Sequence, residues 1–159
     1  MTLDAFLAYA LRLAVALGVV WLGFLAYQQF NVSDTLTNIS VMRTNIDKSY
    51  RGRSYATLNN DIIIRGELAP RSMIKNSSLV SPFGNVTVSG TSDSQYSILL
   101  DSLSRSACQD IAGYSPDSWQ SILVNGENVL DASTSSVAVD IVVQACQTGK
   151  VNTVQFISH

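Results

Sequence analysis

The sequence predicts an α+β protein: a long N-terminal α-helix packed on a C-terminal antiparallel β-sheet domain with short helices and one disulfide. Three observations predict it. Ala5 to Tyr27 is an apolar run of 23 residues with one charge, Arg12; at ~1.5 Å per helical residue it reaches ~35 Å, enough to cross a bilayer's hydrocarbon core. From Val32 the apolar positions Val32, Leu36, Ile39, Met42, Ile46 and Tyr50 recur at spacings of 4, 3, 3, 4 and 4, a narrow stripe along a helix that continues the first with no proline or loop signal between. Beyond Gly52 the chain turns to short β-type runs punctuated by turn residues. The domain reading is thus a helix over residues 1–52, with 1–27 membrane-spanning or equally buried and 28–52 amphipathic, followed by a head over residues 53–159.

Each element has its signal. Asp4 falls in the first turn, where a carboxylate suits the helix N-terminus. Gly52 stops the long helix, and Tyr55 to Ile64 reads as a second helix ended by Gly66. Arg71 to Ser81, between Pro70 and Pro82, reads as a connector. Val86 to Ser89 and Gln95 to Leu100 read as a hairpin, and Ser104 as the N-cap of a helix through Ala112 that carries Cys108 and ends at Gly113. Trp119 to Val124, Asn125-Gly126 and Glu127 to Leu130 form the strongest turn signal, since Asn-Gly supplies the positive φ of a type I′ hairpin. Thr134 to Cys146 is Val-rich, which suits a strand, but its length and the preceding Ser/Thr cluster favour a capped helix. Val151 to Ile157 is the last strand.

Composition excludes several functions. The net charge is −2 with scattered signs and no basic patch, which argues against nucleic acid as a partner. The one histidine is His159, and the chain contains neither a Ser/His/Asp constellation, nor GxGxxG, nor a P-loop. The head's carboxylates are spread singly, so the sequence argues against an enzyme and calls for no cofactor or metal.

The apolar run lacks the basic flank and the small-residue cleavage site of a signal peptide, so it reads as retained. Its flanks and the cysteines disagree about orientation. Arg43, Lys48, Arg51 and Arg53 follow the span, which by charge alone puts the head in the cytoplasm. Cys108 and Cys146, the two cysteines, sit far from the membrane without metal-ligand spacing and suit one disulfide in an oxidising compartment; free thiols are the alternative. The conflict disappears if residue 1 is not the translational start and a basic leader has been removed.

Within the span, Arg12 costs at least ~2.5–3.5 kcal/mol on insertion scales and calls for a partner or a polar cavity. Asp4 lies two turns before it and about 80° round the helix, so a pair between staggered neighbouring helices is sterically sensible and one within a chain is not. Snorkelling of Arg12 to a membrane face is the alternative. Gly18 and Gly23 lower helix propensity and read as packing contacts or as a place where the helix loosens.

The whole layout resembles the type IV pilins, specifically the type IVb branch that includes the toxin-coregulated and bundle-forming pilins. The resemblance rests on the opening Met-Thr-Leu, Tyr50 and Tyr55 with Leu58 beyond, Ser81-Pro82-Phe83-Gly84, Leu103-Ser104-Arg105-Ser106-Ala107-Cys108 after a strand, Val124-Asn125-Gly126, and the late Cys146 before a strand ending near Phe156. It implies a major pilin, the structural subunit of an extracellular helical filament of a Gram-negative bacterium, held in the inner membrane with a periplasmic head before assembly. A prepilin peptidase would remove a basic leader before Met1 and N-methylate it, and assembly machinery would move the apolar helix from lipid into the filament core of a homopolymer. Adhesion, aggregation, phage reception and conjugative mating-pair formation are uses of this branch.

Two departures from the family pattern matter. The usual Glu at the fifth mature position is Ala5 here, beside Asp4, and the usual proline near the middle of the helix is absent. Three explanations of Ala5 follow: Asp4 neutralises a neighbour's amino terminus from another angle, Asp4 instead answers Arg12, or the chain is a minor pilin or pseudopilin that initiates or decorates a filament. From a different class, a membrane-anchored periplasmic binding domain shares the same outline.

Overall fold

The structure is a computed structural model describing the backbone of residues 3–114, 119–131 and 133–158, with side chains from Ala5 onward. One helix, α1, runs unbroken from Leu3 to Ser49. Its second half is built into the head by the predicted stripe: Val32, Ile39, Met42 and Ile46 are buried, and Leu36 and Tyr50 pack at the edge of the core. Thr35, which an apolar count passes over, is fully buried as well, its hydroxyl donating to the Asn31 carbonyl one turn back at 2.8 Å.

The principal sheet has five antiparallel strands: β3 (Val86–Gly90), β4 (Tyr96–Leu103), β5 (Ser121–Val124), β6 (Glu127–Asn128) and β9 (Asn152–Ile157), in the order β3-β4-β9-β5-β6. The last strand is therefore central. Period-two alternation aligns across it into two inward rows, Val88–Ile98–Phe156–Ile122 and Val86–Leu100–Val154–Val124, all buried. The opposite face mixes Thr87, Ser89, Ser97, Gln155 and Ser121 with the half-buried Leu99, Leu123 and Ile157, so one face is core and the other is mixed and partly exposed. On the core face lie α1 and α3 (Arg105–Ala112), whose N-cap Ser104 accepts from the Ala107 amide as predicted. The head closes covalently where Cys108 of α3 bonds Cys146, the residue after α4 (Val139–Ala145), across a separation of 38 residues. In the chain-entropy account a loop of that length contributes ~4 kcal/mol.

Four sequence expectations are corrected. The second helix, α2, spans Asn60–Arg65 rather than starting at Tyr55, because Asn59 caps it by accepting from the Ile62 amide and residues 55–58 are held instead in a turn against the β3–β4 hairpin. The connector 71–81 contains a 3-10 turn, Arg71–Met73, and a short hairpin of β1 (Ile74–Lys75) with β2 (Ser78–Leu79), turned by Asn76 and Ser77 at positive φ. The run Glu127 to Leu130 is split: Glu127–Asn128 pairs with β5, while Leu130–Asp131 forms β7 and pairs with β8 (Ser136–Val137). That pairing takes the first residues of the expected Thr134–Cys146 helix, so α4 starts only at Val139, and the Ala138 amide donates to Val129.

Two polar side chains do work that backbone groups usually do. Asn60 on α2 accepts from the Val88 amide at 2.7 Å and donates to the Val86 carbonyl at 2.9 Å, covering the open edge of β3. Asn152, fully buried, accepts from the Gln147 amide and donates to the Gln147 and Leu103 carbonyls, and Asn125 donates to it at 2.9 Å and to the Ala145 carbonyl at 2.8 Å. The Asn125-Gly126 turn, with φ of 51° and 89° as a type I′ turn needs, is thereby also the tie that holds the disulfide loop to the sheet.

Gly90 is required for a different reason. A Cβ there would stand 1.8 Å from the Tyr55 carbonyl oxygen and 2.7 Å from its carbon, where the Gly90 amide donates to Leu58. Gly90→Ala must therefore displace backbone, and we expect it to lower stability by about 3 kcal/mol. Gly126→Ala, at positive φ but with open space around it, should cost about 1 kcal/mol. Chemical unfolding of the full chain in detergent measures both, and equal losses would contradict this account of Gly90.

Candidate assembly surface

The candidate site is a surface rather than a cleft. Every residue from Ala5 to Tyr27 is exposed, and so are Gln29 and Phe30. The segment includes Phe6, Tyr9, Trp21, Phe24 and Phe30, each more than half exposed. An 18-residue window within it has a mean hydropathy of 2.0, with none of it buried in the chain. Water is a poor solvent for such a surface, at ~25 cal/mol per Å² of apolar area. Length and composition suit a membrane crossing or a bundle of copies.

Arg12 lies in this exposed stretch, and no ion pair to it is seen among the described residues. Asp4 is on the same helix, two turns nearer the N-terminus; Met1, like His159, lies outside the described residues. The helix passes through Gly18 and Gly23 without a break, and a Cβ at either would meet nothing within 4 Å in the single chain. Both therefore leave shallow open places on the cylinder.

What keeps the cylinder clear is the junction at its other end, which sequence reasoning missed. Arg43 stacks its guanidinium over the Trp119 ring at 4.5 Å and lies 3.6 Å from Asp47. Asp47 accepts a hydrogen bond from the Tyr96 hydroxyl of β4 at 2.9 Å. Tyr96 packs on Tyr55 and Tyr55 on Tyr50, with ring centroids 5.0 and 5.4 Å apart, while Trp119 packs on Phe156 of the central strand at 5.0 Å. Lower on the helix the Ser40 and Tyr114 hydroxyls share a hydrogen bond at 3.0 Å, and between Arg43 and Asp47 the Asn45 side-chain amide donates to the Leu68 carbonyl at 3.0 Å. A faint signal was available, since Arg43 and Asp47 stand at i, i+4 beside the stripe; their partners in strands are not readable from spacing.

The antiparallel head, with the half of the helix built into it, is a fold shared with solved type IV pilins. Over 76% of this chain and 95% of the other, it superposes on the crystal structure of a type IV b pilin from Salmonella typhi with a TM-score of 0.59 at 22% identity. It also superposes on TcpA, a type IV pilin from the El Tor biotype of Vibrio cholerae, with a TM-score of 0.55 at 16% identity, over 81% and 99%. No curated protein matches the chain by sequence. Residues 29–159 match the family described as PilS N terminal, and the chain belongs to that family. Type IV pilins are structural proteins that build pili and are anchored in the membrane before assembly.

The junction carries a pH signature. Burial, then the Asp47 charge, then the hydrogen bond to Asp47 push the Tyr96 phenol far above its ordinary 10.0, and burial followed by Asp47 raises Tyr55 in the same direction. The folded state holds these protons more tightly than the unfolded chain. Their contribution is therefore complete below pH ~10 and is lost as the pH rises beyond it. Stability should stay level with respect to these groups up to about pH 9.5 and fall above it. Tyr96→Phe should make that fall shallower and cost about 1–3 kcal/mol at neutral pH through the lost bond to a carboxylate. Thermal melts of wild type and variant across pH 7–11 read both.

Proposed function

We propose that the chain is the major, repeating subunit of an extracellular type IVb pilus and polymerises through the apolar half of α1. One observation carries this reading: from Ala5 to Tyr27 all residues are exposed and nearly all apolar, while the next turns of the same helix are fixed rigidly into a folded head. Lipid would solvate that surface before assembly, with the head in the periplasm of a Gram-negative cell, and further copies would replace lipid in the filament. Assembly then needs no cofactor, but it does need a prepilin peptidase that leaves a methylated Met1 and a machine that lifts the subunit from the inner membrane. Adhesion, aggregation and conjugative mating-pair formation are the uses this reading allows.

Ala5 favours a second reading, a minor pilin, because the family's acidic fifth residue is missing there. Copy number separates the two. Filaments sheared from cells expressing the chain with its assembly genes should consist mostly of this subunit, with an intact mass that begins at methylated Met1 and a bonded Cys108–Cys146 pair. A trace amount in filaments made of another protein would select the minor pilin. Retention of the unassembled chain in the membrane fraction would select an anchored binding domain.

A further inference from the structure

Resting on the pilin reading above, we propose that Arg12 of each subunit pairs with Asp4 of the neighbour displaced one step toward the head end of the filament, and that this pair sets the axial stagger between the two. Apart from the amino terminus, which competes for the same carboxylate, the first half of the helix holds two charged groups. Arg12 is the only Lys or Arg before Arg43, and Asp4 is the only Asp or Glu before Asp34. Both stand on one unbroken helix, and Arg12 is exposed on it. Asp34 is 22 residues beyond Arg12, ~33 Å along the axis. Asp4 is ~12 Å away in the other direction and ~80° round, which rules out a direct pair within the chain.

Once copies replace lipid around this segment, a guanidinium there needs a carboxylate, and the two-pronged geometry of that pair suits a dry contact. Parallel copies bring residue 12 of one level with residue 4 of another when they are staggered by ~12 Å; helical side chains lean toward the N-terminus, the longer arginine more so, which lowers the stagger to about 8–12 Å. Asp4 and Arg12 of one subunit then serve two different neighbours. The contact is head-to-tail and does not close on itself, so it propagates as a helix. The N-terminal end of the filament is left presenting an Asp4 carboxylate, which receives Arg12 of the next subunit.

The test is electron cryo-microscopy of wild-type filaments together with shear yields of Asp4→Arg, Arg12→Asp and the double exchange. Formation of the Cys108–Cys146 bond checks that each head has folded. Each single variant should lower filament yield about tenfold or more, and the exchange should restore most of it. The map should place Arg12 against a neighbour's Asp4 at the stated stagger. Single variants that polymerise at wild-type yield, an exchange no better than the singles, or a map with the two residues apart would overturn the pairing and leave the pilin reading standing. A wild-type chain that forms no filament would overturn both.

Discussion

A long apolar surface that no residue of its own chain covers is the constraint on which the rest of the molecule depends. Twenty-three consecutive exposed residues, from Ala5 to Tyr27, cannot face water without a large free-energy cost, and burying them against the head would leave nothing for lipid or for other copies. The fold resolves this by confining the head to the far half of the helix. The apolar stripe there is narrow, starting at Val32 and closing at Ile46, so the head covers one side of α1 and stops before the cylinder begins.

That confinement depends on a junction with polar content. The apolar stripe fixes chiefly which face of the helix meets the head. The Arg43–Asp47–Tyr96 chain, Asn45 on the Leu68 carbonyl and the Ser40–Tyr114 bond have no equivalent one turn away, so they select one register. The strand on which Trp119 packs, β9, is the last in sequence and the middle one in the sheet. The junction is consequently finished only when the C-terminus has been inserted between β4 and β5, a non-local closure that Asn152 and the Cys108–Cys146 bond lock on either side.

The sequence was most legible where one strong local signal met no competitor. The stripe on α1, the Asn125-Gly126 hairpin, the Ser104 cap and the alternation of β3 all follow from periodicity or from a backbone conformation that few residues accept. It was least legible where tertiary partners competed for a segment. Ser136 and Val137 are compatible with the start of a helix, yet pairing with Leu130 and Asp131 captures them. Tyr55 to Leu58 has helical composition, yet the close backbone approach at Gly90 holds it as a turn. The exposed surface was readable as a span from length alone, whereas the junction that presents it was not, because the partners Tyr96 and Trp119 lie 49 and 76 residues beyond Asp47 and Arg43.

The proposed exchange of lipid for a bundle of copies poses a further physical problem. Aliphatic side chains gain little from the exchange, since acyl chains are as apolar as Leu or Val; association in such surroundings rests on close packing and on polar contacts. In the span of this chain the leucines, valines and alanines therefore make the helix soluble in both environments without selecting either. In the proposed filament, selection would fall to the residues that break the pattern. Gly18 and Gly23 leave open places where another backbone or a large ring could approach, and Arg12 brings a charge that would gain from a fixed carboxylate once lipid headgroups are out of reach. Arg12 and Gly23 are eleven residues apart and return to within about 20° of one side of the cylinder, while Gly18 stands about 120° round, so contacts made through them in the proposed filament would constrain the rotation and the stagger of neighbouring helices together, which a uniformly aliphatic span could not do.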